Sequence, residues 1–406
     1  MNLLFAWRYF RAKKSTNAIN IIAWVSMSAI VVGAAALILV LSVFNGFEDL
    51  VKSLYGSFYP DLKITPSSGK TLILNAQQLQ QLRTVNGVRA ISLVVEEQAV
   101  IENGDNVASP YLKGVDSNFT KVSGVAGKVV RGKFETGTAG QPLAVLGSGI
   151  EYNLGVEADL SAPLDVYSFR KGGPSYTVDP LASYNHAEIT TAGVFLIQQD
   201  FDGHYVITNL EFVKRMLGLQ PDEYSGVELA VTDPSRITDV QQALAQLLGK
   251  DFTVQTRYQQ NEKLYSVMGT EKWVIYIILT LILVVAAFNM VGALTMLVWD
   301  KQKDIHVLKA LGASNGLVQK IFLSEGILLA VMGGTAGIVL AALICELQLK
   351  FKLIPLQGDS FLIDYYPVKM VPTDFLLVFA TIFIVAILAS WLPARKAAAQ
   401  PIELRT

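Results

Sequence analysis

The chain has 406 residues, of which 52% are hydrophobic and 17% are charged, and its formal net charge is −1. Soluble proteins carry about 25% charged residues, so this composition predicts a membrane protein with a sizeable soluble part. Residues 46–271 hold 18 Lys and Arg against 26 Asp and Glu. That negative balance excludes nucleic acid as a partner, because phosphate contacts need a positive field.

Few residues suggest catalysis or cofactor binding. Cys345 is the only cysteine, which excludes an internal disulfide, and three scattered histidines give no metal-ligand spacing. Ser68-Gly69-Lys70-Thr71 resembles the end of a phosphate-binding loop, but Ile64 stands where its first glycine belongs. The sequence therefore predicts no catalytic residue, no metal site and no cofactor bound by this chain.

The chain opens with a basic tail, 1–18, and an uncharged apolar run, 19–44. A run of this length predicts a retained transmembrane helix, because an unpartnered polar group in hydrocarbon costs several kcal/mol. Comparable runs follow much later, at 273–298, 321–344 and 375–392. The fold class is therefore a helical membrane protein with four spans in a 1 + 3 arrangement, and a large α+β domain inserted between the first two.

Basic residues in the short flanks predict the orientation. Arg8, Arg11, Lys13 and Lys14 precede the first span, four lysines lie in the loop 299–320, and Arg395, Lys396 and Arg405 lie in the tail 393–406. Three lysines in the loop 345–374 argue weakly against this pattern. We expect both termini in the cytoplasm and residues 45–272 outside it.

Two segments of the inserted domain share a β-α-β pattern. Residues 62–101 contain a predicted helix over 76–84, and residues 227–256 contain one that starts at Asp233-Pro234 and ends at Gly249. Between them, residues 114–186 alternate in hydrophobicity and are rich in turn residues. The pattern predicts a split α+β sandwich with a β-rich insertion.

The cytoplasmic loop 299–320 contains a candidate docking helix. Asp304 is placed to cap it and Gly312 to end it, while Ile305, Leu308 and Leu311 form a narrow apolar stripe next to Lys303. Such a helix either lies on lipid headgroups or enters the groove of a soluble partner. Because nothing in the chain supplies energy, a partner that hydrolyses ATP would give the loop a purpose.

Small residues predict helix contacts within the membrane. Ala29 and Gly33 form a small-xxx-small pair in the first span, and Gly333 and Gly337 form another in the third. Packing within the chain and a dimer interface both remain open for these pairs.

Several strings resemble one family of membrane proteins. The loop DKQKDIHVLKALGAS resembles the FtsX/MacB-type permeases, the type VII ABC transporters. LSVFNGFE (41–48), residues 271–305, the opening WRYFRAKKS and the closing PARKAAAQPIELR resemble more narrowly the LolC/LolE permeases of the lipoprotein-releasing complex. This resemblance covers nearly the whole chain.

The resemblance implies a permease subunit, not an enzyme, in the bacterial inner membrane. It implies a second permease subunit and a cytoplasmic ATPase dimer, which binds ATP and Mg and contacts the stretch Lys303–Gly312. It also implies lipoprotein substrates and a periplasmic lipoprotein carrier. Two alternatives are an FtsX-like regulator that relays ATP hydrolysis to a cell-wall hydrolase and a MacB-like efflux permease.

Two further groups of residues acquire candidate roles from this resemblance. Val40, Phe44 and Phe47 share one helical face and, with Tyr276 and Leu279, form the predicted path of the acyl chains; packing against the chain's own helices is the alternative. The long polar segment Arg170–Asn185 is the predicted carrier contact, through Arg170, Lys171, Pro174 and Tyr176, with a plain surface loop as the alternative.

Overall fold

The computed structural model describes residues 17–156, 163–169, 184–356, 363 and 365–399. They belong to two compact units. The helical unit comprises Met1–Leu50, Ser266–Leu356 and Tyr365–Thr406, and the sheet unit comprises Val51–Tyr265 and Gln357–Asp364.

The bounds of the described α-helices are α1 Asn17–Phe58, α2 Ala76–Thr84, α3 Phe119–Val122, α4 Ser148–Leu154, α5 Gln199–Asp202, α6 Leu210–Leu217, α7 Ile237–Leu248, α8 Arg257–Gln260, α9 Glu262–Asp300, α10 Gln302–Ala310, α11 Asn315–Phe351 and α12 Pro372–Ala398. The bounds of the described strands are β1 Leu62–Pro66, β2 Leu72–Ile73, β3 Val88–Asn103, β4 Asn106–Ala108, β5 Tyr111–Val115, β6 Val129–Gly132, β7 Leu143–Gly147, β8 Pro163–Phe169, β9 Tyr184–Phe195, β10 Tyr205–Asn209, β11 Glu223–Tyr224, β12 Gly226–Val231 and β13 Phe252–Thr256.

Four helices, α1, α9, α11 and α12, are long and apolar enough to cross a membrane. Each contains one of the apolar runs of the sequence, where backbone groups are satisfied inside the helix. All four helices are longer than those runs; for example, α1 continues to Phe58 and α9 begins at Glu262. The parts of these helices that lie within a bilayer remain those predicted from the sequence.

Glycines allow the helices of the helical unit to approach closely. A Cβ at Gly337 would collide with the backbone of Val31 in α1, and a Cβ at Gly333 would lie 3.2 Å from the Met27 carbonyl oxygen. On its other side α1 meets α9, where a Cβ at Gly33 would lie 3.0 Å from Leu283. The small residues thus serve packing within the chain, and a dimer interface at these glycines is wrong because α1 and α9 occupy their faces.

The sheet unit is built on one mixed sheet of eleven described strands, in the order β13-β1-β12-β3-β5-β10-β7-β9-β6, with β4 and β8 paired beside this path. The two β-α-β segments lie side by side, since β1 and β3 flank β12. The β-rich segment continues the same sheet, because β5 pairs with β3. Its core is formed by buried aliphatic side chains such as Leu62, Val95 and Leu229.

Local capping explains the two helices of these segments. Asn75 and Gln78 form a capping box at the start of α2. Asp233 accepts a hydrogen bond from the Ser235 backbone N–H and caps a 3-10 turn, Pro234–Arg236, which leads into α7. Gly249, with φ of 76°, ends α7, since L-residues rarely adopt this backbone conformation.

The polar segment between β8 and β9 is shorter than predicted. Phe169 pairs with Tyr184 and Ser168 pairs with Asn185 in an antiparallel hairpin. The Asn185 side-chain amide also donates to the Met216 carbonyl at 2.5 Å. Tyr184 and Asn185 therefore belong to β9, and their assignment to the loop was wrong because ladder pairing continues through them.

Candidate functional site

The predicted docking helix is α10, but it begins earlier than expected. The chain turns at Lys301, and the Ile305 backbone N–H already donates to the Lys301 carbonyl at 2.9 Å. Asp304 is therefore inside the first turn, with its carboxylate 3.5 Å from the Lys301 ammonium. The expectation that Asp304 caps the helix was wrong, because Lys301 holds the N-cap position.

The end of α10 follows the sequence prediction. Gly312 has a φ of 92°. The Gly312 N–H donates to the Lys309 carbonyl and the Ala313 N–H to the Leu308 carbonyl, both at 3.0 Å. These two bonds form a Schellman motif, which satisfies carbonyls that the helix end would otherwise leave free.

The apolar stripe of α10 is divided between two environments. Ile305 is buried in the core of the helical unit, Leu308 is half-buried, and Leu311 is 81% exposed. Lys303 is exposed. Lys309 donates from its ammonium to the Ala398 carbonyl at 2.8 Å and so ties α10 to the end of α12. Leu311 is thus the apolar residue of this stripe that is most available to another protein.

The predicted acyl-chain residues lie in different surroundings. Val40 is 37% exposed and Phe44 is half-buried. The Phe47 ring packs edge-on against Tyr366, with centroids 5.7 Å apart. The Tyr276 hydroxyl shares a hydrogen bond with the Thr381 hydroxyl of α12, and Leu279 packs against the core of the helical unit. Val40 therefore remains the most accessible of the five, and its role stays a prediction.

A polar cluster that sequence reasoning missed joins three helices of the helical unit. The Asn45 amide donates to the Asp374 carboxylate at 2.6 Å, and the Lys272 ammonium donates to the Asn45 oxygen at 2.8 Å. Asn45 and Asp374 are buried. The cluster links α1, α9 and the first turn of α12.

The next residue, Gly46, permits another close contact. A Cβ at Gly46 would collide with the backbone of Pro367 and Val368. The Lys369 backbone N–H donates to the Ser42 carbonyl at 2.9 Å, and the Lys369 ammonium pairs with Asp49. The Phe-Asn-Gly-Phe-Glu string and the residues beside it thus anchor the segment before α12 to α1. In the sequence, the Asn next to a Gly within an apolar helix is the feature that could have indicated this contact.

The sheet unit holds a buried row of charges across four neighbouring strands. Lys113 and Glu228 are both buried and form an ion pair of 2.6 Å. The Glu96 carboxylate lies 3.7 Å from the Lys63 ammonium and 4.0 Å from that of Lys113. Burial opposes the charge of Glu96, but Lys63 and Lys113 hold its pKa below its ordinary value. Burial also opposes the charge of Lys63, yet Glu96 and Glu228 raise its pKa.

The end of α1 covers this row of charges within the sheet unit. The Lys113 ammonium lies 4.9 Å from the ring centre of Phe58, near enough for a cation–π contact. The Tyr205 hydroxyl donates to Glu96 at 3.2 Å. Burial and this carboxylate raise the pKa of Tyr205, so the hydroxyl stays protonated at neutral pH.

The four predicted carrier-contact residues, Arg170, Lys171, Pro174 and Tyr176, lie outside the described residues. Among the described residues, no group of three or more His, Cys, Asp and Glu could hold a metal ion.

Four apolar helices and a folded, sheet-based domain define a helical membrane protein with a large soluble part. Residues 23–247 match the family described as MacB-like periplasmic core domain, and residues 276–402 match the FtsX-like permease C-terminal family. The chain belongs to the MacB-like periplasmic core domain family, whose match covers more than half of it.

Relatives match over nearly the full length. The lipoprotein-releasing system transmembrane protein LolE of Haemophilus influenzae is 28% identical, over 97% of this chain and 96% of its own. LolC of Neisseria meningitidis is also 28% identical, over 98% of both chains. The crystal structure of the periplasmic region of MacB from Actinobacillus actinomycetemcomitans aligns with 53% of this chain and 98% of its own, at 11% identity and a TM-score of 0.37. The LolE and LolC relatives, together with the two family matches, confirm the resemblance to LolC/LolE permeases.

Proposed function

We propose that the chain is a permease subunit of an ABC transporter that extracts lipoproteins from the inner membrane for delivery by a periplasmic carrier. The observation that carries this proposal is the full-length similarity to both LolE and LolC. A cell-wall regulator and an efflux permease are less well supported, since both relatives are described as parts of a lipoprotein-releasing system.

The proposed topology has four spans in the inner membrane, with both termini in the cytoplasm. The domain between α1 and α9 then lies in the periplasm. Support comes from the basic tail, the basic loop around α10 and the basic C-terminus. A cysteine at Asp105, which is exposed, should react with a membrane-impermeant reagent in spheroplasts, and one at the exposed Asn315 should not. Labelling of Asn315→Cys in intact spheroplasts would contradict this orientation.

The chain itself is non-catalytic in this proposal, and a cytoplasmic ATPase dimer binds ATP and Mg. Leu311, exposed at the end of α10, is the candidate contact with that ATPase. A second permease subunit completes the membrane part. Each buried CH₂ of an acyl chain is worth about 0.8 kcal/mol, so extraction of whole chains requires an input of energy.

Reconstitution tests the function directly. The chain, a co-purified ATPase and an acylated lipoprotein are incorporated into proteoliposomes, and lipoprotein released to a soluble carrier is measured with and without ATP. We expect release that depends on both ATP and carrier. ATP hydrolysis without release, but with activation of a cell-wall hydrolase, would favour the regulator, and export of a small molecule would favour the efflux permease.

A further inference from the structure

Four residues on one face of α1 attach this helix to the segment before α12 and to the first turn of α12. Their spacing of three, one and three residues places them on a single helical face, and they are Ser42, Asn45, Gly46 and Asp49. They contact residues 367–369 and Asp374 through hydrogen bonds, an ion pair and a close backbone approach. We call these contacts, together with Lys272 beside them, the α1 joint. All of its residues belong to the helical unit.

Three predicted spans end at the α1 joint. Asn45 directly follows the first span, Lys272 directly precedes the second, and Asp374 directly precedes the fourth. The Lys272 ammonium donates to the Asn45 oxygen at 2.8 Å and lies 3.5 Å from the Asp374 carboxylate. Asn45 and Asp374 are 5% and 7% exposed. Opening the joint would take a partner away from a buried carboxylate, which is costly, so these contacts favour a closed and rigid connection.

The opposite end of α12 is attached to the docking helix α10. The Lys309 ammonium donates to the carbonyl of Ala398, the last residue of α12, at 2.8 Å. Ile305 of α10 and Ala397 of α12 are both buried in the core of the helical unit. Between its two attachments α12 is one helix of 27 residues, about 40 Å long. Pro393 lies inside this helix but is buried near the α10 attachment, where packing limits bending.

The α1 joint fixes the part of α1 that carries a predicted acyl-chain residue. The glycine contacts of α1 with α11 and α9 lie earlier in the helix, at residues 27–34. Val40, the most accessible of the predicted acyl-chain residues, lies five residues before Asn45. Because a helix is stiff over one or two turns, a displacement of the joint also displaces Val40.

We propose that Asn45, Lys272 and Asp374 are positioning residues of the transport reaction, because the α1 joint makes α1 move together with α12 when the ATPase displaces α10. The inference rests on the proposed lipoprotein-releasing function and deepens it by naming the link between the ATPase contact and the acyl path. Helix α12 carries the displacement of α10 to the joint, and α1 carries it to Val40. A gate that opens between α1 and α12 during transport would require the opposite behaviour of the same contacts.

Exchange of the two buried partners tests the α1 joint in the full complex with its ATPase. Asn45→Asp places two carboxylates together, and the lipoprotein released per ATP hydrolysed should fall about fivefold, the effect of one lost interaction between neighbouring side chains. Adding Asp374→Asn restores one amide facing one carboxylate and should restore this ratio. Glu346→Gln, exposed near the end of α11, is the control and should leave the ratio unchanged.

The ratio separates positioning from folding. A residue needed only for folding would lower ATP hydrolysis and release together, so their ratio would stay normal. A normal ratio in Asn45→Asp, or no recovery in the exchanged pair, would overturn the proposal.

A cross-link distinguishes a rigid joint from a gate without breaking the buried contacts. Cysteines replace Asp49 and Lys369, whose exposed side chains form an ion pair, and a short cleavable reagent joins them after assembly. The native Cys345 is buried. Release per ATP should be the same before and after the cross-link forms. Loss of release on cross-linking, reversed when the linker is cleaved, would show that the contacts open during transport and would overturn the proposal.

Movement of α1 is also measured without any lipoprotein. The rate at which N-ethylmaleimide labels Val40→Cys is compared with and without ATP in three backgrounds: the unaltered joint, Asn45→Asp, and the exchanged pair. ATP should change the rate with the unaltered joint and with the exchanged pair, but not with Asn45→Asp. An equal response, or no response, in all three would overturn the proposal. Failure of the unaltered complex to release lipoprotein would instead count against the lipoprotein-releasing function itself, and the labelling would still decide the role of the joint.

Discussion

The two units keep their elements together by different means. In the helical unit, glycines such as Gly337 bring helix backbones close together, beside the buried polar cluster at Asn45 and Asp374. In the sheet unit, buried ions such as Lys113 and Glu228 connect neighbouring strands. A helix satisfies its own backbone in an apolar medium, so close packing is sufficient to hold it. A buried charge must be paired, which makes the sheet unit sensitive to the loss of one partner.

The largest expected effect comes from breaking the buried ion pair. Lys113→Met leaves Glu228 buried and unpaired, and the free energy of unfolding of the sheet unit should fall by about 3–5 kcal/mol. The matched control is Lys70→Met, because Lys70 pairs with Glu97 at 2.8 Å but is 79% exposed. Lys70→Met should lower the free energy of unfolding of the sheet unit by only about 0–1 kcal/mol. Hydrogen exchange of peptides from β3 and β5 measures both, and equal protection in the two variants would contradict this view of the sheet unit.

A smaller effect is expected from crowding the helices. Gly337→Ala places a methyl group against the backbone of Val31, which cannot move aside freely, and should destabilise the helical unit by about 1–3 kcal/mol. Gly292→Ala on α9 is the control, since nothing lies within 4 Å of its Cβ. Thermal unfolding in detergent is followed by tryptophan fluorescence, because all five tryptophans lie outside residues 51–265. Equal transition temperatures would show that α1 and α11 are not in close contact.

Features set by neighbouring residues could be predicted from the sequence, and those set by distant pairing could not. The long apolar runs predicted four helices, and Gly312 predicted the end of α10, because these depend on residues within a few turns. The Lys113–Glu228 pair joins residues 115 apart in the chain, and the Asn45–Asp374 bond joins residues 329 apart. One sequence contains no direct signal for such pairs. Asp304 failed as a cap because the turn between α9 and α10 is shorter than its spacing suggested.

A titrating carboxyl provides a milder test of burial in the sheet unit. Burial raises the pKa of Asp202 from 3.8 to about 7, although the Ile197 backbone N–H donates to it. The folded state therefore binds this proton more tightly than the unfolded state does. The stabilisation is complete below about pH 4 and is lost as the pH rises through 7.

Asp202→Asn should remove this dependence while keeping an acceptor for the Ile197 N–H. We expect the variant to lose less stability than the unaltered chain between pH 4 and pH 7, by at least about 1 kcal/mol. Urea unfolding at several pH values, followed by hydrogen exchange of the peptide around Asp202, measures the difference. Parallel curves for both proteins would mean that Asp202 is ionised in the folded state.

The smallest effect on stability, with a large effect on assembly, is expected at the end of α10. Leu311→Asp changes an exposed side chain and should alter the stability of the helical unit by no more than about 0.5 kcal/mol. If Leu311 enters an apolar groove of the ATPase, the new carboxylate is desolvated there and the ATPase should no longer co-purify.

Leu247→Asp, on the 43% exposed Leu247 of α7, is the control that should keep the ATPase bound. Ile305→Asp, in the buried part of the same helix, should instead disturb folding. An unchanged yield of ATPase with Leu311→Asp would place this end of α10 on lipid headgroups, because a charge is tolerated there.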